Sequence, residues 1–194
     1  MVELILTGCI RLTLSGCRYA CRQLINQRIE RENAMTTVLE RANYLDSKHA
    51  ADIGYLMNCY ASDPMGGGNP LSTEITSRLA NELSKTPHAF SVICYVSGKP
   101  AGLINCFDAF STFKCKPIVN VHDIVVVEEF RGQGISHFLL QDIQKIAVEK
   151  NCCKITLEVL EGNISAKSSY IKFGFTDYEL DPSHGKALFW EKEL

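Results

Sequence analysis

The chain has 194 residues, 46% hydrophobic and 22% charged, enough for one well-packed domain and too few for two large ones. A formal net charge of -2 and the lack of any Lys/Arg-rich run exclude a basic field for a polyanion, so nucleic acid is not an expected partner. The nine cysteines are odd in number, with no Cys-x-x-Cys pair and no matching His spacing; no metal site is expected, and free thiols in a reducing cytoplasm explain them best.

Residues 1–34 hold an apolar stretch from Val2 to Leu14, interrupted by Arg11, and then a polar run through Arg18, Arg22, Arg28 and Arg31. The stretch falls short of the roughly 18 apolar residues of a membrane span, so no membrane partner is expected. Leu14-Ser15-Gly16-Cys17 resembles a lipidation box, but no basic residue precedes the apolar stretch, which carries the acidic Glu3 at its start. Regular patterning begins only later. The segment is therefore expected to lie outside the domain, with Met35 as initiator and residues 35–194 as the domain.

Residues 37–42 read as a short strand and 47–60 as a helix with apolar positions at 50, 53, 56, 57 and 60. Asp63-Pro64-Met65-Gly66-Gly67-Gly68-Asn69-Pro70 reads as a mobile loop, since glycine freedom and two prolines oppose a regular element. Helical spacing resumes over 71–85, where Ser72 or Thr73 can cap. Residues 90–96 and 101–107 flank Ser97-Gly98-Lys99-Pro100 and read as a hairpin. Residues 118–127 read as a central strand, continuously apolar from Ile124 to Val127 as burial on both faces demands.

An amphipathic helix is expected over 136–150, a core strand over 154–160, and a short helix over 163–173, capped by Asn163 and closed by Gly174. The helical crossover implies that the strands before and after it form a parallel pair or at least lie close together. Residues 175–180 and 187–191 read as a final hairpin. Cys152 and Cys153 precede a strand, where small buried residues are ordinary.

The turn after the central strand carries the chemistry. Arg131-Gly132-Gln133-Gly134-Ile135-Ser136 leads directly into a helix, whose unpaired N–H groups and dipole favour an anion. Gly132 and Gly134 open the backbone to it, and Arg131 can add a charge-assisted contact. A glycine-rich turn alone is a weak signal, equally compatible with a plain packing loop. The dinucleotide fingerprint is a rival, with Glu158 downstream, but it wants a third small residue where His137 stands.

Arg131-x-x-Gly134-x-Ser136, followed by a helix, a strand and Asn163-x-x-Ala166-x-x-x-Tyr170-x-x-x-Gly174-Phe175, resembles the paired motifs of GNAT-type N-acetyltransferases. The resemblance covers about residues 35–194 and departs at Ser136, where the family has Gly or Ala; its hydroxyl could contact phosphate. It implies an α/β (α+β) GNAT fold, a mixed and mostly antiparallel central sheet with a splayed parallel pair between flanking helices. It also implies acetyl-CoA as co-substrate, with its pyrophosphate on residues 131–136 and its pantetheine arm paired to the backbone of Ile124, Val125, Val126 and Val127 and touched by Asn163. One N–H of that strand would polarise the thioester carbonyl.

The same resemblance makes Tyr170 the general acid. A phenol with a reference pKa of about 10 stays protonated at neutral pH and can protonate a thiolate whose conjugate acid lies near about 8.5. Packing along the face of Ala166 and Phe173 is the plainer reading. His122 and Asp123 are candidates for the base or for binding a cationic substrate, where diamine acetyltransferases have an acidic residue before Asp. Adjacent strand residues point to opposite sides, so one of the two is expected in the cleft. Residues 60–71 and 107–116 would shape the acceptor site, where Asp63, Glu74 and Asp108 could attract an amine. The implied activity is acetyl transfer to a primary amine of a small molecule. A peptide acceptor and a non-catalytic acyl-CoA-binding module stand as alternatives, and a homodimer, common in the family, is left open.

Overall fold

The computed structural model describes residues 36–178, 181, 183, 185 and 187–194; the expected extension over 1–34 lies outside them. The described residues fall into two units, 36–37 with Val96–Gly98, and Val38–Tyr95 with the described residues from Lys99 onward. In the first, the Ser97 N–H donates to the Thr36 carbonyl at 2.9 Å, and Ser97 and Gly98 both have positive φ, as a two-residue hairpin turn requires.

In chain order the described residues form strand β1 (Thr37–Arg41), helix α1 (Ser47–Ser62), a 3-10 turn (Pro64–Gly66), α2 (Thr73–Lys85), β2 (Ala89–Val96), β3 (Lys99–Ser111) and β4 (Lys116–Val126). A second 3-10 turn (Glu128–Phe130), α3 (Ile135–Glu149), β5 (Ile155–Leu157) and α4 (Ile164–Phe173) follow. The strands make one sheet in the order β1-β2-β3-β4-β5. β3 and β4 are antiparallel, whereas β4 and β5 are parallel across the α3 crossover, so the sheet is mixed as expected.

Local chemistry starts and stops the helices. Asp46 caps α1 by accepting from the His49 N–H, Ser72 caps α2 through Ile75 N–H, and Asn163 caps α4 through Ala166 N–H. Gly174, at φ 107, closes α4 in the left-handed conformation that costs glycine little. Helices α1 and α2 bury Ile53, Leu56 and Ala80 against Ile93, Tyr95, Leu103 and Val125 of the sheet. α3 covers the other face. A side chain at Gly102 would meet Ile135 Cγ2 at 2.9 Å and Leu139 Cδ1 at 3.3 Å, so glycine lets α3 sit close. Leu139, Leu140 and Ile143 are wholly buried there, each worth about 1.5–3 kcal/mol over exposure.

Four expectations change. Residues 63–70 contain a short regular turn: Asp63 accepts from the Met65 N–H at 2.8 Å, Pro64 opens a 3-10 turn over Pro64–Gly66, and Gly66 and Gly68 N–H donate to the Asp63 carbonyl. The strands expected to end at 107 and to resume at 118 are longer, continuing the β3/β4 ladder to Ser111↔Lys116, because cross-strand pairing outweighs the local loop signals.

The third change is in the central strand. Val125 is buried while Ile124, Val126 and Val127 are half-buried, and β5 pairs with β4 only through Val119, Val121 and the residue between. The cause is a register shift between Asn105 and Cys106, opposite Asp123 and Val121, which makes His122 the extra residue of a β-bulge. A bulge bends its strand, so β4 leaves β5 beyond Val121 and residues 158–160 have no ladder to join. Finally, among the described residues neither 175–178 nor 187–191 forms a strand, and Leu188, Phe189 and Trp190 are exposed. Alternation there could suggest strands, but their ladder depends on non-local partners that local pattern cannot supply.

Candidate active site

The bulge opens one edge of β4. The Val127 N–H donates to the Ala101 carbonyl at 2.9 Å, which in the Gly102↔Val126 register turns the backbone of Val125 and Val127 toward β3. Antiparallel alternation then directs the backbone groups of Ile124 and Val126 away from β3, to the side where β5 has departed. Of the four residues expected to pair with a pantetheine arm, only these two offer their backbone. The Val126 carbonyl already accepts from Arg131 Nε at 3.1 Å.

At the end of β4 the anion turn has the expected backbone. Gly132 and Gly134 sit at φ 77 and 79, where a Cβ would be strained although it would meet nothing closer than Phe138 Cε2 at 4.0 Å. Conformation and not crowding calls for glycine. Gly134 is the N-cap of α3 and brings no capping side chain, so the first N–H groups of the helix face outward without an internal acceptor. Arg131, Gly132, Gln133 and Gly134 are exposed, and Ile135 is buried as the anchor beneath them.

Three side chains of the turn have partners within the protein. Arg131 forms a 2.7 Å ion pair with Asp63, tying the turn to the segment after α1. Gln133 Nε2 donates to the Glu129 carbonyl at 3.4 Å. Ser136 Oγ lies 3.3 Å from Ser169 Oγ and links α3 to α4. Asn163 spends its Oδ1 on the α4 cap at 3.1 Å, leaving its amide N–H₂ as the group that can reach a ligand.

The face of the sheet that α1 covers carries Asp123, held by Asn105, whose amide also meets Met57 of α1. Tyr170 is 7% exposed and stands edge-on to Phe175; burial pushes its phenol up to about 12, with Tyr60 adding to the shift. Burial likewise raises the Tyr60 phenol, and the carboxylates of Asp123 and Asp63 raise it further. Tyr60, missed in the sequence because it reads as one more apolar position of α1, thus stands within electrostatic reach of both Tyr170 and Asp123.

His122 and Asp123 do not divide between opposite faces. Asp123 Oδ2 accepts from Asn105 Nδ2 at 3.0 Å, and the His122 ring stands edge-on to Phe107 at 5.3 Å. Asn105 and Phe107 are two apart on β3 and share a face, so the bulge brings both neighbours to it, His122 exposed and Asp123 half-buried. Three other carboxylates considered for an amine are ion-paired: Asp63 with Arg131, Glu74 with Arg78 and Asp108 with Lys150 at 2.6 Å. Asp123 receives a neutral amide.

Among the described residues no group of three or more His, Cys, Asp or Glu side chains could hold a metal, and no helix is long and apolar enough to cross a membrane. The cysteines described are free; burial pushes the thiols of Cys94 and Cys106 up to about 11 and about 12, which keeps them from acting as nucleophiles.

Residues 55–175 match the Acetyltransferase (GNAT) family. The chain belongs to that family. It is 35% identical over 69 residues to a thialysine N-epsilon-acetyltransferase of Bos taurus, covering 36% of this chain and 40% of the relative. It is 26% identical over 159 residues to a streptothricin acetyltransferase of Escherichia coli, covering 77% of this chain and 88% of that one. The match thus spans about two-fifths of the first relative's length. A solved aminoglycoside N-acetyltransferase in complex with CoA superposes with a TM-score of 0.64 at 17% identity, over 84% of this chain and 98% of that one, a likeness of fold.

Proposed function

We propose that this GNAT chain, with residues 35–194 as its catalytic domain, transfers an acetyl group from acetyl-CoA to a primary amine of a small molecule. One observation carries the reading: Asp123 is a carboxylate without an ion-pair partner among the described residues, beside the bulge that opens β4 and within electrostatic reach of Tyr60, which in turn reaches Tyr170. A cationic amine supplies the missing charge. The names of the thialysine and streptothricin relatives point to amine-bearing small molecules as acceptors.

The residues fit acetyl-CoA. The outward N–H groups at the start of α3, opened by Gly132 and Gly134, suit a pyrophosphate, with Gln133, Ile135 and Ser136 completing the turn. Ile124 and Val126 suit an extended amide chain, and the Asn163 amide can reach it. When bound, the thioester supplies an activated acyl group. Asp123 attracts the ammonium and orients it, His122 or water takes its proton, and an N–H of the β4 edge polarises a carbonyl. Tyr170, kept neutral by burial, donates a proton to the leaving sulfur; a thiolate in the same apolar cleft is also less stable as an anion, which favours the transfer.

Free-thiol release from acetyl-CoA over a panel of small amines and peptides tests the proposal. Turnover with small amines is expected, and Asp123→Asn is expected to raise the amine KM about tenfold, one lost charge-assisted contact. Activity on peptides alone, or saturable acetyl-CoA binding without turnover, would overturn it.

A further inference from the structure

A line of hydrogen bonds crosses the core behind Asp123. Tyr44 Oη lies 2.8 Å from Ser91 Oγ, Ser91 Oγ donates to Asn105 Oδ1 at 2.6 Å, and Asn105 Nδ2 donates to Asp123 Oδ2 at 3.0 Å. Ser91 and Asn105, at 0% and 4% exposure, are the buried polar residues among those described. Apolar side chains at these strand positions would pack without needing partners. The polarity therefore calls for a reason beyond the core.

Chemistry orients the whole line. A carboxylate accepts and does not donate, so the Asn105 amide must turn its N–H₂ toward Asp123 and its oxygen toward Ser91. The second amide proton meets Met57 Sδ at 3.2 Å, which leaves the amide no other comfortable orientation. Ser91 has one proton, given to Asn105, so its oxygen accepts from the Tyr44 hydroxyl. Each donor from Tyr44 to Asn105 thus points along the line toward the Asp123 carboxylate. Aligned donors polarise one another and strengthen the last bond.

We propose that Asn105, itself fixed by Ser91 and Tyr44, is a positioning residue that holds the Asp123 carboxylate in the orientation from which it receives the acceptor amine. The inference rests on the role given to Asp123 in the preceding reading. Asn105 belongs to β3 and Asp123 to β4 just past the bulge, where the strand has lost regular pairing on its other side. Side-chain orientation there depends on the neighbour across the ladder. Ser91, from β2, carries the restraint one strand further.

Two measurements on the full chain decide it, with Asn105→Leu as the near-isosteric variant lacking every polar atom and Ser91→Ala as the milder one. In crystal structures, the Asp123 carboxylate is expected to leave its present place in Asn105→Leu; an unmoved carboxylate overturns the proposal whether or not any amine is a substrate. In kinetics with the best amine of the panel, Asn105→Leu is expected to raise the amine KM about tenfold and Ser91→Ala about threefold, with the acetyl-CoA KM unchanged. Adding Asn105→Leu to Asp123→Asn should then raise the amine KM no further. An equal rise in both backgrounds means Asn105 acts on packing and overturns the proposal. If Asp123→Asn alone leaves the amine KM unchanged, the role of Asp123 in binding falls, and the crystallographic comparison still decides whether Asn105 positions it.

Discussion

Tyr170 shows how one residue combines packing with chemistry. Its ring lies in the core against Phe175, and the burial that stabilises α4 also keeps the phenol protonated, up to about 12. The family motif, and not helical spacing, singles it out, since the same spacing describes any core tyrosine. Tyr170→Phe keeps the ring and removes the proton. Turnover is expected to fall about a hundredfold, the low end for a general acid, while acetyl-CoA affinity measured by calorimetry stays the same; unchanged turnover would remove the assignment. Asn105 and Ser91 are the contrasting case. Each reads in sequence as an ordinary strand residue, and only the neighbours across the sheet reveal a polar line.

Between elements, the closest approaches decide which residues the chain can accept. Gly54 of α1 faces α2 so tightly that a Cβ would lie 2.7 Å from the Thr76 carbonyl oxygen, and that oxygen belongs to a helix backbone that cannot step aside. Gly54→Ala is therefore expected to force α1 and α2 apart at a cost of about 1–3 kcal/mol, the range for overpacking. A urea unfolding midpoint equal to the parent's would count against that packing. The Asp63–Arg131 pair is a second link between elements, joining the end of α1 to the turn before α3. Asp63 is read from sequence as a free acid near the substrate; its capping of Met65 and its bond to Arg131 hold its carboxyl below the usual range. The pair is legible only after folding, because 68 positions separate its members.

Across the whole molecule, buried phenols give stability a dependence on alkaline pH. Tyr170 and Tyr95 are each raised to about 12, by desolvation first, with Tyr60 adding at Tyr170 and the bond to Asp52 adding at Tyr95. Their folded values exceed the unfolded value of about 10. The folded state then holds protons more tightly, so this contribution is whole below about pH 10 and is lost as pH rises through about 12. The denaturant midpoint is expected to drop over that interval, and Tyr170→Phe should reduce the drop. An identical pH profile for the variant would contradict it.

Local sequence carried the elements and the glycine turn after β4. Apolar periodicity, caps at Ser72 and Asn163, and glycines at 132, 134 and 174 express preferences that act within a few residues, and those features appear where expected. Tertiary structure decided what depends on distant partners: the extent of β5, the lack of strand at the described residues 175–178 and 187–191, and the ion pairs that claim Asp63 and Asp108. Above all it decided the bulge at His122, where one extra residue opposite β3 bends β4 from β5 and turns two consecutive side chains to one face. No pattern along a single strand contains that register, because it arises from the fit between two strands.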